Sequence, residues 1–144
     1  MDSQTYASHR RFVPLFHFVL APVLLLTIIG SIVNLVESLD DHERLYNAAL
    51  IVVLSIAAFL TLFLARVFAL KAQDRAIRAE ENLRHFVMTG KLLDPRLTVR
   101  QIIALRFASD AEFVALAKSA AESGTAPDEI KKSIKDWRAD TYRV

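Results

Sequence analysis

The 25 residues from Phe12 to Val36 contain no Lys, Arg, Asp or Glu. A bilayer core of about 30 Å is crossed by roughly 20 helical residues rising 1.5 Å each, so this run is long enough to span a membrane. A second uncharged run covers Ala48 to Ala65 and continues through Val67 to Leu70 once Arg66 extends its head toward the headgroups. The first run is too long for the apolar region of a cleaved signal peptide, and no A-x-A site follows it. Two spans are therefore expected, 12–36 and 48–70. The chain is 53% hydrophobic with a positive mean hydropathy, which separates it from an ordinary soluble domain.

Charge sets the expected orientation. The linker 37–47 carries Glu37, Asp40, Asp41 and Glu43 against Arg44 alone, whereas Arg10, Arg11, Arg66, Lys71, Arg75 and Arg78 flank the other ends of the spans. Lys and Arg favour the cytoplasmic side, so the N-terminal segment 1–11 and the C-terminal part are expected inside and the acidic loop outside. The six basic residues then sit at the membrane interface, in contact with lipid headgroups.

Nothing stops the second helix at the membrane. From Arg66 to Met88 there is no Pro or Gly, so the helix is expected to run into the cytoplasm over 71–90 until Gly90 and Asp94-Pro95 end it. The remainder, 91–144, shows three helix starts: Thr98 with Gln101, Ser109 with Glu112, and Thr125 with Asp128. The apolar positions of these helices fall on one face each: Val99, Ile102 and Ile103; Phe113, Leu116, Ala117 and Ala120; Ile130, Ile134 and Trp137. The expected fold is all-α: a helical hairpin of two transmembrane helices, a long extension of the second, and a small three-helix tail.

Small residues at Ala57, Thr61, Ala65 and Ala69 recur every four positions along the second helix and allow close backbone approach. The pattern passes into Ala69, Ala72, Ala76, Ala79, Leu83 and Phe86, alternating steps of 3 and 4 as in a coiled-coil seam. This face is expected to meet a second copy or a partner membrane protein, although Ala also favours helix and the face could instead meet the chain's own tail. Asp74 with Arg78 and Glu80 with Arg84 have the spacing of surface i,i+4 pairs. In the first span Thr27, Ser31 and Asn34 suggest a polar side turned toward the second helix, and Pro22 is expected to kink the helix by removing the donor to Phe18.

Little of the sequence points to chemistry. There is no cysteine, and no phosphate loop, metalloprotease motif, nucleophile–base pair or pair of catalytic carboxylates, so neither enzyme nor cofactor is expected. His17 alone could ligate haem across a dimer, but the second span offers no His; His9, His42 and His85 lie on separate segments and read as surface residues. Arg96, Arg100 and Arg106 alternate with Leu97, Ile102 and Phe107 and could rest on anionic lipid. Nucleic acid is not an expected partner, because eight acids offset ten bases between Lys91 and Val144. The leading expectation is an accessory or scaffold protein acting through helix–helix association; a small oligomeric transport component is the alternative.

The segments RFVPLFHF at Arg11–Phe18, KAQDRAIRAEENLR at Lys71–Arg84, RQIIALRFASDAE at Arg100–Glu112 and EIKKSIKDWRADTYRV at Glu129–Val144 resemble a bacterial family of short two-span membrane proteins of unknown function, sometimes labelled transporter permeases. The resemblance covers nearly the whole chain. It implies a two-span architecture in a bacterial cytoplasmic membrane and brings no activity, substrate or cofactor with it.

Overall fold

The computed structural model describes residues 4–8 and 12–140, so Arg10 and Arg11 lie outside the described residues. All regular structure among these is helical, with one isolated antiparallel bridge between Ala108 and Trp137. The chain divides into two compact units, one formed by 12–69 and the other by the N-terminal segment together with 70–144.

In the first unit a wide π-helical turn, Leu15–Leu20, runs directly into α1, Ala21–Glu37, making one apolar stretch. The expected effect of Pro22 is thus met differently. The turn before it is widened, with the N–H of Ala21 donating to the carbonyl of Phe16, five residues back. In a regular α-turn the proline ring would clash with the carbonyl of Phe18, and a widened turn is one way for a helix to accommodate it. The linker is shorter than the sequence suggests, because α2 spans His42–Thr89 and begins six residues before Ala48. Asp41 accounts for this: its Oδ1 accepts from the backbone N–H of Glu43 and Arg44 at 3.1 and 3.2 Å, and its Oδ2 pairs with Arg44. Both apolar stretches, Leu15–Glu37 and His42–Thr89, are long and apolar enough to cross a membrane.

At about 1.5 Å per residue, the 48 residues of α2 extend roughly 72 Å. Gly90 ends the helix as expected, at φ +73, a left-handed conformation that costs glycine nothing. The loop that follows is braced by Asp94, which accepts from the Arg96 backbone at 2.9 Å and pairs with its guanidinium at 2.7 Å.

The second unit is built around Leu105, Phe107, Phe113 and Ile130, all fully enclosed, with Leu93, Leu97, Ile102 and Ile134 around them. Helix α3, Val99–Leu105, opens with the full capping box expected of Thr98 and Gln101. The other two starts differ in detail. Ser109 precedes α4, Asp110–Ser123, without a side-chain cap, and α5, Pro127–Ser133, is preceded by Ala126 with Pro127 in its first turn. The Thr125 carbonyl instead accepts from Gln101 Nε2 at 2.8 Å.

Ile134 and Trp137 do not continue α5. The Glu112 carboxylate accepts from the backbone N–H of Lys135 and Asp136, which draws the chain out of the helix. The strand-like segment then lies along 107–109, with Ser109 N–H donating to Asp136 at 3.1 Å and Arg138 N–H to Phe107 at 2.7 Å. Ile134 is still buried and Trp137 packs on Phe107 with ring centroids 5.0 Å apart, so both serve the core from extended backbone. The possible lipid face of α3 is also revised: Leu97, Ile102 and Phe107 are core residues, Arg106 is buried and paired with Asp140 at 3.0 Å, and Arg96 serves the loop.

The Asp94 pair makes a pH prediction. The guanidinium and backbone N–H of Arg96 hold the Asp94 carboxyl down at about 2, below its ordinary 3.8. The depressed value means that its contribution is complete above the ordinary carboxylate range and is lost as pH falls through about 2. A side-chain NMR titration should place the Asp94 midpoint near 2, and Arg96→Ala should return it toward 3.8; an unmoved midpoint in that variant would assign the shift to something else.

Candidate interaction face on the long helix

A straight α-helix turns about 100° per residue, so positions spaced by three and four stay on one side. In the 12–69 unit the enclosed positions of α2 are Ala48 and Ser55, with Val52, Phe59 and Leu62 half-buried between and beyond them. The Ser55 hydroxyl lies 3.1 Å from that of Ser31 on α1, and each is also within bonding distance of a carbonyl of its own helix, Val52 and Ile28. One hydroxyl can donate along its helix while the other bridges to its partner. Only Ser31 of the three polar residues expected on this side is there. Thr27 is exposed and donates to the Val23 carbonyl at 2.8 Å, and Asn34 is exposed as well.

Ala57, Thr61 and Ala65 lie away from that contact and are exposed; Thr61 donates to the Ala57 carbonyl at 2.8 Å. At the end of the apolar run Arg66 covers the ring of Phe16 at 5.5 Å, a cation–π contact. His17 stands edge-on to Phe12 and Phe16 with its Nδ1 3.0 Å from the Val13 carbonyl, so that nitrogen is engaged by the backbone.

In the second unit α2 is held by a different set of residues. Arg84 donates through Nη1 to Glu81 at 3.0 Å, through Nη2 to the Ala108 carbonyl at 2.8 Å and through Nε to Asp110 at 2.8 Å, and its guanidinium lies 4.2 Å from the centre of the Phe113 ring. Its side chain is only 11% exposed and that of Glu81 6%. The sequence pairs Arg84 with Glu80 by spacing; the structure gives it to Glu81, because Glu81 faces the packed side of α2 and Glu80 faces outward. Asn82 accepts from the Leu93 backbone and His85 bonds the Lys91 carbonyl while standing edge-on to Phe113, so His85 is part of the packing.

Ala72, Ala76 and Ala79 are on the other side and are exposed, as are Lys71, Arg75 and Arg78; Ala69, in the first unit, is half-buried. The tail therefore does not cover Ala72, Ala76 and Ala79. The same side carries Leu83 at 63%, Phe86 at 50% and Val87 at 77% exposure. Together they form an exposed apolar patch beside a well-packed core.

Among the described residues no group of His, Asp or Glu could hold a metal ion. A family model described as a family of unknown function (DUF6526) matches residues 1–144, the whole chain. No curated protein and no solved structure matches.

Removing Arg84 leaves Glu81, buried on the packed side, with only the longer contact to Arg138 at 3.8 Å. Arg84→Ala should destabilise the second unit by about 3–5 kcal/mol, the range for breaking a buried pair, whereas Glu80→Ala should change stability by less than about 0.5 kcal/mol. Trp137 is the sole tryptophan and sits on Phe107, so its fluorescence during denaturant unfolding of the full chain reads both. Equal effects of the two variants would give Arg84 back to Glu80.

Proposed function

We propose, for a chain that belongs to the DUF6526 family of unknown function, a non-enzymatic role: a bacterial cytoplasmic-membrane protein that serves as a scaffold or accessory subunit by helix–helix association along α2. One observation carries this: α2 keeps a bare face, Ala72, Ala76, Ala79, Leu83, Phe86 and Val87, on the side turned away from its own packing. Within the apolar run Ala57, Thr61 and Ala65, spaced by four, add further exposed small residues.

Membrane insertion is supported by the two apolar helices, whose large side chains, among them Leu26, Val53, Leu54 and Phe63, are exposed in a way that water would penalise and lipid would not. The orientation has independent support. The segment 4–8 belongs to the same unit as the tail, with Gln4 Oε1 accepting from the Asp140 backbone at 2.9 Å and Lys132 lying 6.0 Å from the centre of the Tyr6 ring. Segments in contact lie on one side of a bilayer, so the chain between Tyr6 and Lys132 would cross it an even number of times. The basic residues Arg66, Lys71, Arg75 and Arg78, together with Arg10 and Arg11, favour the cytoplasm for that side.

The decisive measurement is the mass of the intact particle, purified from its native membrane in mild detergent. A small multiple of the 16.2 kDa chain is expected, and Ala65→Trp with Ala76→Trp, which fill the close-approach positions, should reduce it to one copy. A wild-type particle of a single copy would overturn the assignment, as would a double variant of unchanged mass.

A further inference from the structure

The bare face of α2 in the second unit has a register. Taking Ala76 and Leu83 as one set of seam positions and Ala72, Ala79 and Phe86 as the other, the steps alternate 4 and 3 without interruption. Ile77, Glu81 and Arg84, the residues that hold α2 to its own unit, then fall on the outer side of the heptad, so packing within the chain leaves the seam open. Beside the seam, Arg75 stands just before Ala76 and Glu80 just after Ala79.

In a parallel two-stranded coil these flanking positions, five residues apart in sequence, face one another across the two helices. Arg75 and Glu80 are both exposed and neither forms an ion pair within the described residues, Glu80 having lost Arg84 to Glu81 and Asp110. Their charges are opposite, so the face is complementary to a copy of itself. An antiparallel copy would not bring them together, and two chains inserted in one membrane with the same orientation cannot pack antiparallel.

We infer that a second copy of this chain packs on this seam, parallel and in register, with Arg75 of each copy opposite Glu80 of the other. The pairing rests on the association proposed above and adds its orientation, its register and the contact that selects the partner. Ala72, Ala76 and Ala79 let the backbones come close, Leu83 and Phe86 supply the apolar contact, and Val87 widens it on the side of Glu80. The two symmetry-related ion pairs exclude other registers, since a slip of one heptad separates them.

Charge reversal tests the pairing on the full chain in native membranes or mild detergent. Arg75→Glu and Glu80→Arg each turn both attractive contacts repulsive and should weaken self-association about tenfold. Mixed together, the two variants face each other with every contact attractive again and should prefer each other to themselves; the double variant R75E/E80R should recover wild-type association. Because the double variant carries both reversals, its recovery separates pairing from any effect on insertion or folding. The chain has no cysteine, so Ala79→Cys gives a unique label that should cross-link to its counterpart, while Arg78→Cys, off the seam, should not. An oligomeric wild type whose association is insensitive to both reversals would overturn this pairing and leave the proposed function standing. A monomeric wild type would remove both.

Discussion

The guanidinium of Arg84 is the constraint on which the second unit depends. It has five N–H donors in a fixed plane, and here they reach a carboxylate on its own helix, a carboxylate at the start of α4 and the backbone carbonyl of Ala108. Its face rests on Phe113, which is the centre of the core. A single planar cation thus fixes the rotation of α2 about its own axis relative to α3–α4 within this unit. Lysine could not do this, having one ammonium in place of a plane of donors. Once the rotation is set, which residues of α2 are enclosed and which are bare follows from helical geometry alone.

The consequence is a helix with two kinds of face. The enclosed side in the second unit is partly polar, with Ile77 beside Glu81 and Arg84, and the bare side is apolar, with Leu83, Phe86 and Val87. For a chain that ended its packing with itself the reverse order would be expected, since apolar burial is the main favourable term in folding. A buried ion pair is worth little against a hydrophobic alternative, but here it orients the helix, and Leu83, Phe86 and Val87 are left bare.

The sequence made the long elements legible because their signals are strong and local: uncharged runs of span length, an unbroken helix-forming stretch, the glycine at Gly90, the capping box at Thr98 and Gln101. Four features escaped it for physical reasons. Arg84 has Glu80 and Glu81 within reach on its own helix and Asp110 only through the fold, and spacing cannot say which acid is buried. Ile134 and Trp137 keep helical spacing, yet the Glu112 carboxylate takes the N–H groups that would have continued the helix. Pro22 signals a disturbed turn without saying whether it bends or widens. Arg106 reads as a surface charge until Asp140, 34 residues later, covers it. The Ala spacing was visible from the start; that its half from Ala72 onward stays bare could be seen only once the tail was in place.

A seam whose central knobs are alanines buries little area, and full burial of Leu83 and Phe86 supplies about 1.5–3 kcal/mol each. Two such side chains per copy give a dimer about 6–12 kcal/mol, a gain that the association cost of freely diffusing chains, about 4–15 kcal/mol, largely cancels. Confinement to a bilayer changes the balance. Neighbouring helices already share orientation and depth, so part of the translational and rotational cost is removed before contact, as it is for tethered modules. For the membrane-anchored copies proposed above, a weak, small-knobbed seam with one charge pair on each side is then sufficient, and it remains exchangeable. For the scaffold proposed here, such a seam is enough to assemble copies that share a membrane or a micelle, and weak enough to let them exchange.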